Sequence, residues 1–393
     1  MTPTSPSPLR IFIIAGEASG DFHAANLVRS IHAIDSNAQF LGIGGPKMAA
    51  AGVDVKQNIV ERLAIIGLVG IVRHLPELKA LFAFVYEQLD ASKPDLLLLV
   101  DYPGFNLRVA KQAKKKRLRV VYYICPQTWA WHASRAKKFP HILDKMLTIF
   151  PFEEPLFRSY GADATFVGHP LLDQLKVTMS REEVCARLGL DAQKPLFCLL
   201  PGSRKSEIEP LLPVMLGAAA ELRKTMPEAQ FILPRAETIS REMIEQIAAP
   251  FELPLTIVDE ERTNVRAACN FAWVASGTAT LETALLGVPM IILYKTSWLT
   301  AKLAKMLVHL PFIGLANIVA ERRIVPELLQ DEANAQRLLQ ETISIWGNPE
   351  RLQQMKGDLA GVRHKLEFSH ANSSAKTAYD RAAEEVIKVL NKT

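Results

Sequence analysis

Apolar runs of strand length alternate with amphipathic stretches from residue 10 to 170 and again from 195 to 345, the rhythm of repeated strand–helix–strand units. In the first stretch the pattern predicts strands at Arg10 to Ala15, Gln39 to Ile43, Asp95 to Asp101, Arg119 to Cys125, Lys145 to Phe150 and Ala164 to Val167. In the second it predicts them at Pro195 to Leu200, Gln230 to Leu233, Leu255 to Val258, Phe271 to Ala275 and Pro289 to Leu293. Runs such as DLLLLVD lack two-residue alternation, which implies strands covered on both faces in a parallel sheet. The expected fold class is therefore α/β, with two doubly wound parallel-sheet domains, residues 1–172 and 173–345, facing across a cleft. Residues 346–393 are expected to form helices that pack back on the first domain. In such sheets ligands gather at the carboxyl ends of the strands.

Composition agrees with this picture. The 393 residues exceed the ~250–300 at which a single hydrophobic core stops growing. Hydrophobic residues at 49% and charged residues at 22% exclude a collagenous or disordered body, and only MTPTSPSP at the start reads as a loose tail. IFIIA is too short for a signal-peptide core, and Leu63 to Val72, the longest apolar run, falls below the ~18 residues of a membrane span. A soluble or peripheral protein is expected. Cys125, Cys185, Cys198 and Cys269 show neither paired nor metal-ligand spacing, which fits a reducing cytoplasm. The net charge of +5 is modest, and nucleic acid is not expected as a partner. Positive charge concentrates between Lys111 and Arg119, either as a solvated helix end or as a contact for an acidic partner such as phospholipid head groups.

Candidate chemistry clusters at the strand ends. The first strand runs into AGEASGDFHAANL, where Gly16 and Gly20 bracket a tight turn and Ser19 or Asp21 can cap the next helix. The spacing is not GxGxxG, which argues against a dinucleotide site. LGIGGPKMAAAG is a second glycine-rich strand end. LLLLVDYPGFN places Asp101 at the carboxyl edge, either as a helix cap or as a general base for a sugar hydroxyl. CPQTWAWHASRAKKF brings Gln127, Trp129, Trp131, His132, Arg135, Lys137 and Lys138 to the same edge. Tryptophans among cationic groups suit a sugar ring or acyl chain beside a phosphate, or else a structural aromatic turn.

In the second half, FCLLPGSRKSEIE sets Gly202, Ser203 and Arg204 between a strand and a helix. Backbone N–H groups and a guanidinium then converge as a diphosphate requires. VASGTATLETALLGVPMIIL supplies a second such turn, Ser276, Gly277 and Thr278, with Glu282 one turn further on. That carboxylate either accepts from a ribose diol or is merely a first-turn acid favoured by the helix dipole. No D-x-D pair exists to hold a divalent ion on a nucleotide-sugar, so neither a metal nor a cofactor is expected. His23, His132 and His169 lack spaced partners and read as structural. Leu63 to Val72 with the following RHLPELKALFAFVYEQL, and TSWLTAKLAKMLVHLPFIGLAN with Lys302, Lys305 and His309 on one stripe, fit a membrane face, a buried core helix or a dimer seam alike.

Over nearly its whole length the chain resembles the lipid-A-disaccharide synthases. The resemblance rests on AGEASGD, GIGGPKM, VDYPGFN, PQTWAW, FPFE followed by FVGHPLLD, LLPGSR, ASGTATLE and ANIVAERRIVPELLQ, eight motifs in one order. It implies the GT-B architecture, two Rossmann-like domains with UDP held by the C-terminal one. The implied enzyme is an inverting, metal-independent glycosyltransferase. It moves 2,3-diacylglucosamine from UDP-2,3-diacylglucosamine to the 6-hydroxyl of 2,3-diacylglucosamine 1-phosphate, on the cytoplasmic face of the inner membrane, and some members are homodimers that exchange C-terminal parts. By resemblance Asp101 is the catalytic aspartate, and Glu17, Ser19 and Asp21 form the first glycine turn on the acceptor side. Gln127, Trp129, Trp131 and Arg135 are further acceptor candidates. Arg204 with Gly202 and Ser203 takes the diphosphate, Ser276, Gly277 and Thr278 the adjoining nucleotide turn, Glu282 the ribose, and Asn317 matches the family's late asparagine. Gly104 and Thr128 depart from the acidic residue and valine common there, which leaves acyl selectivity open. The rival expectations are another UDP-sugar enzyme of the same fold, such as an N-acetylglucosamine transferase or epimerase, and a non-catalytic nucleotide-sugar-binding membrane adaptor. The apolar helices and tryptophans speak against the first, and intact Asp101 and Arg204 against the second.

Overall fold

The computed structural model describes residues 8–59, 75–131, 133–296, 311–368 and 374–391, with the backbone alone at 75, 130, 131 and 133–135. Leu63 to Val72, His132, Lys302, Lys305 and His309 lie outside the described residues. The chain forms two compact units, Met1–Pro170 with Phe368–Thr393, and Leu171–Glu367.

The first unit is built on seven parallel strands: β1 (Arg10–Ala15), β2 (Gln39–Gly44), β3 (Asp54–Asn58), β4 (Leu96–Val100), β5 (Arg119–Tyr123), β6 (Lys145–Thr148) and β7 (Ala164–Phe166). Their order is β3-β2-β1-β4-β5-β6-β7. The uniformly apolar runs are central, as the missing alternation requires: all of Leu96–Val100 and Ile11–Ala15 are buried. The chain steps outward from β1 to β3 and then returns to β4 on the other side of β1. That reversal opens a crevice at the carboxyl ends of β1 and β4, where Ala15 pairs with Val100 and Gly16 and Asp101 follow.

The second unit repeats the plan with β8 (Leu196–Leu200), β9 (Gln230–Pro234), β10 (Leu255–Val258), β11 (Phe271–Ala275), β12 (Met290–Tyr294) and β13 (Glu327–Leu329), in the order β10-β9-β8-β11-β12-β13. Here the reversal falls between β8 and β11, so the turns after Leu200 and after Ala275 flank the crevice. β3 and β13 were not expected. The first is the polar edge strand DVKQN, alternating exposed and half-buried, and the second has three residues, so neither carries an apolar run to read.

The expected division also needs correction. Helices Ala335–Trp346 and Pro349–Leu366 belong to the second unit, where Met355, Leu359, Val362 and Leu366 are buried and Arg363 donates to the Leu285 carbonyl at 3.1 Å. Only helix Ala378–Asn391 joins the first unit, packing on helix Ala18–Ile34. It is held by the Ser30 hydroxyl donating to Asp380 at 2.8 Å and by Arg119 donating to the Leu390 carbonyl at 2.7 Å. The buried Lys145 ammonium, between Asp163 and Glu385, ties it to the sheet. An amphipathic pattern foretells a helix; its destination depends on which apolar face it meets.

Candidate active site

In the first unit, β4 delivers Asp101 to the crevice in an unusual backbone geometry. Asp101 and Tyr102 both have φ of 50°, a left-handed conformation that non-glycine residues hold only when their surroundings enforce it. The enforcement is visible. The Asp101 N–H donates to the Tyr123 carbonyl at 3.0 Å, and its own carbonyl accepts from the Tyr122 hydroxyl and the Asn106 amide at 2.6 Å each. Gly16 belongs to the same arrangement, because a Cβ there would stand 2.6 Å from the Tyr102 ring. The helix Pro103–Lys115 opens at Tyr102 with no side-chain cap, so Asp101 is not its N-cap residue. Burial, opposed by the Tyr102 N–H and reinforced by the charge of Glu17, raises the Asp101 carboxyl to about 6. Such a group is mostly ionised at neutral pH yet basic enough to draw a proton from a hydroxyl.

Glu17 and Ser19 stand exposed on the same turn. Asp21 does not join them. It is buried, and its oxygens accept from the N–H groups of Gly45, Lys47 and Met48 at 2.8, 3.0 and 3.0 Å. Its expected place among acceptor contacts is therefore corrected: it ties the two glycine turns together. Gln127 is exposed. Trp129 is half-buried, edge-on to Phe150 and Phe152, and donates its indole N–H to Glu153 at 2.9 Å. Trp131 and Arg135 lie on the following helical turns, with side chains outside the described ones. His23, 3.0 Å from the Tyr379 hydroxyl, and His169 against Phe150 are held neutral by burial, their values lowered to about 4 and about 3. In the basic stretch, Lys114 pairs with Asp144 and Lys116 with Asp90, while Lys111, Lys115 and Arg117 are exposed.

In the second unit a cavity of about 800 Å³ fills the crevice between β8 and β11, with Gly202, Ser203 and Arg204 on one side and Ser276, Gly277 and Thr278 on the other. Gly202 sits at φ +120° with Glu207 so close that a Cβ would overlap its carboxylate. Glu207 accepts from the Ser203 and Arg204 N–H groups at 2.8 and 3.3 Å and from the Arg204 guanidinium at 2.8 Å. Those are the anion-binding donors anticipated in the sequence, here engaged by a carboxylate of the same chain. Opposite them, helix Thr278–Leu285 opens at Gly277, φ +145°, and its first residues, Thr278 and Ala279, line the cavity, where the opening turn of a helix has N–H groups without intrahelical partners. Glu282 also lines it, ion-paired with Arg266.

Asn317, expected among the UDP contacts, is wholly buried and has no capacity left for a ligand. Its amide donates to the Val325 carbonyl and to Glu327 at 2.9 and 2.8 Å, and its oxygen accepts from the N–H groups of Ile324 and Val325 at 2.8 and 3.0 Å, which exhausts both donors and both lone pairs. Glu327 in turn accepts from Ile313 and Gly314, and Ser276 donates to the Ile313 carbonyl at 3.3 Å. Asn317 thus braces the segment behind the Ser276–Thr278 turn. Asn317→Ala should cost about 3 kcal/mol, since several buried groups lose their partners together; a melting temperature equal to the parent's would contradict this.

Sequence reasoning passed over Arg262, Arg266 and Glu153 as site-forming groups. The two arginines are spaced i, i+4 in RTNVRAACN, which puts them on one helical face, and both line the cavity. Arg262 donates to the Arg235 carbonyl at 3.3 Å and pairs with Glu237. The spacing was a usable signal. Glu153 in FPFE offered none, because a single acid in an aromatic run reads as an ordinary helix-opening residue.

A family model described as lipid-A-disaccharide synthetase matches residues 11–381. The chain belongs to this family. Among curated lipid-A-disaccharide synthases, the protein from Geobacter sulfurreducens is 42% identical over 357 residues, covering 91% of this chain and 93% of that one. Lipid-A-disaccharide synthase 1 of Legionella pneumophila is 39% identical over 370 residues, covering 94% and 96%. Solved structures share the fold at much lower identity. The calicheamicin glycosyltransferase CalG4 superposes with a TM-score of 0.62 at 14% identity over 99% of this chain and all of that one. The UDP-GlcNAc 2-epimerase of Neisseria meningitidis bound to UDP-GlcNAc gives 0.60 at 11% over 98% and 100%. Like the other lipid-A-disaccharide synthetases, this protein is a glycosyltransferase of two parallel-sheet α/β units, with the GT-B architecture.

Proposed function

We propose that this protein transfers 2,3-diacylglucosamine from UDP-2,3-diacylglucosamine to the 6-hydroxyl of 2,3-diacylglucosamine 1-phosphate, yielding lipid A disaccharide 1-phosphate and UDP. The names of its relatives and the Asp101 carboxyl, raised to about 6 at the β1/β4 crevice, support this most directly. Asp101 accepts the hydroxyl proton as the acceptor oxygen bonds to the donor's anomeric carbon, and the bond from that carbon to the diphosphate oxygen breaks with inversion. The charge appearing on UDP is taken by Arg204 and the first-turn N–H groups behind Gly277, while Glu282, steadied by Arg266, receives the ribose hydroxyls.

No metal enters this scheme. Among the described residues no group of three or more His, Cys, Asp or Glu side chains could hold an ion, and a guanidinium with backbone N–H groups can take the charge a metal takes elsewhere. UDP release from acylated donor and acceptor should persist undiminished in excess chelator. Loss of turnover that magnesium alone restores would refute the metal-free mechanism, and absence of UDP release with fresh acylated substrates would refute the reaction itself.

Acylated substrates reside in a bilayer, so we place the protein at the cytoplasmic face of the inner membrane as a peripheral enzyme. No described helix is long and apolar enough to cross a membrane. The exposed Lys111, Lys115 and Arg117 supply charge of the sign that anionic head groups attract.

A further inference from the structure

Glu153 has no part in the reaction above, yet its carboxylate is completely buried and, among the described residues, is paired with no cation. Its partners are three N–H donors. Oε1 accepts from the Trp129 indole at 2.9 Å, and Oε2 accepts from the backbone of Ile149 and Phe150 at 3.3 and 3.2 Å. These donors come from two strand ends: Trp129 from the turn after β5, the others from the turn after β6. The walls are aromatic, with Trp129 edge-on to Phe150 and Phe152, which stack on each other.

A buried charge in such walls is costly, and an apolar residue of similar volume would serve stability better if stability were the whole purpose. The geometry explains why an acid is present. Both oxygens face donors, and only an acceptor-only group satisfies both sides. An amide would set its NH₂ against an N–H on one side, and a protonated acid would set its O–H there. β5 lies beside β4 in the sheet, so the turn that Glu153 fixes is the neighbour of Asp101 at the crevice.

We propose that Glu153 is a positioning residue of the acceptor site: its ionised carboxylate clamps the Trp129 ring and the turn Gln127–Trp131 into a rigid wall beside Asp101, against which the acylated acceptor sugar docks. This rests on the acceptor assignment of the proposed function. Burial, against the pull of the three donors, raises the Glu153 carboxyl to about 7. Among the described residues the titratable neighbours stay neutral through that range, the Cys125 thiol because burial pushes it up and the His169 imidazole, against Phe150, because burial holds it at about 3. As pH falls through about 7, Glu153 gains a proton, one side of the clamp loses its acceptor, and the wall loosens.

The test combines Glu153→Gln and Trp129→Phe, singly and together, with the full chain. Nitrogen-15 spectra of the indole N–H groups, with Trp129 assigned by its loss in Trp129→Phe, should show its resonance moving with pH about 7 in the parent and fixed in Glu153→Gln. Each variant should raise the acceptor KM about tenfold or more, the scale of one charge-assisted hydrogen bond. UDP affinity and kcat should stay near the parent's, and the double variant should be no worse than the single ones. If Glu153→Gln does not fold, Trp129→Phe, which removes only the donor, carries the kinetic arm. Parental acceptor KM in Trp129→Phe overturns the proposal. So does a joint fall of kcat, UDP affinity and melting temperature, which would mark a merely structural residue, or an indole resonance that ignores pH. Should the parent fail to turn over, the function proposed above falls, and the indole titration still upholds or overturns the clamp.

Discussion

Asp101→Asn should lower kcat by about 10²–10⁴, the range that general-base catalysis contributes, and at the same time make the protein harder to melt. The first effect follows from removing the proton acceptor while keeping size and hydrogen-bonding ability. UDP affinity, which the proposed scheme assigns to residues of the second unit, should hardly change. The second effect follows from burial. The carboxyl stands at about 6 in the folded protein against an ordinary 3.8, so between those values the folded state holds a proton that the unfolded chain gives up. Stability therefore declines as pH rises through that window, and above it the full penalty applies, at most about 3 kcal/mol. Asparagine escapes the penalty, and it also tolerates the left-handed φ of 50° at least as well. The gain in melting temperature should be greatest above about pH 6 and vanish below about pH 4. A near-parental kcat would end the case for Asp101 as base, and a lower melting temperature at pH 8 would end the account of its burial. In the parent, loss of the ionised form should make kcat/KM decline as pH falls below about 6.

Arg204→Ala should reduce kcat/KM for the donor by about 10²–10³, the loss seen when a donor to developing negative charge is removed, while the acceptor KM stays near the parent's. Arg204 is well exposed and already paired with Glu207, so a diphosphate that displaces or shares that carboxylate finds a guanidinium already held at the β8 crevice. Arg204→Lys should recover only part of the loss, because an ammonium keeps the charge without the planar fork. Unchanged inhibition by UDP in Arg204→Ala would show that the diphosphate is bound elsewhere.

The framework of both sheets was legible because central parallel strands are nearly all apolar: LLLLV and FAWVA could hardly be anything else once helix length was excluded. Strand ends were less so. Lys145 to Phe150 looks like one run, but only Lys145–Thr148 is strand, since Ile149 and Phe150 turn aside to donate to Glu153. Candidate sites showed up as residue types placed after strands, and the structure sets Asp101 at the crevice beside β1 and Arg204 and the Gly277 turn around the second unit's cavity. The same rule also picked Asp21 and Asn317, which the fold buries. Both stand in the right segments, but only three-dimensional contacts reveal that they are buried and held by hydrogen bonds inside the fold, Asp21 by three backbone N–H groups and Asn317 by backbone groups and Glu327. Trp129 lies between these cases. Its position was foreseen, whereas its anchor, Glu153, sits 24 residues on and leaves no periodic trace.

Helix Ala378–Asn391 completes a unit whose other elements all precede residue 171. On a translating ribosome the Leu171–Glu367 unit is continuous, so its core can close while the last helix is still being made. The earlier unit must wait with the apolar groove along helix Ala18–Ile34 uncovered, although it emerged first. Nascent chains should therefore acquire protease resistance in the order opposite to synthesis, the central segment before the amino-terminal one. A nonsense codon near residue 370 should leave the later unit intact and the earlier one a substrate for chaperones.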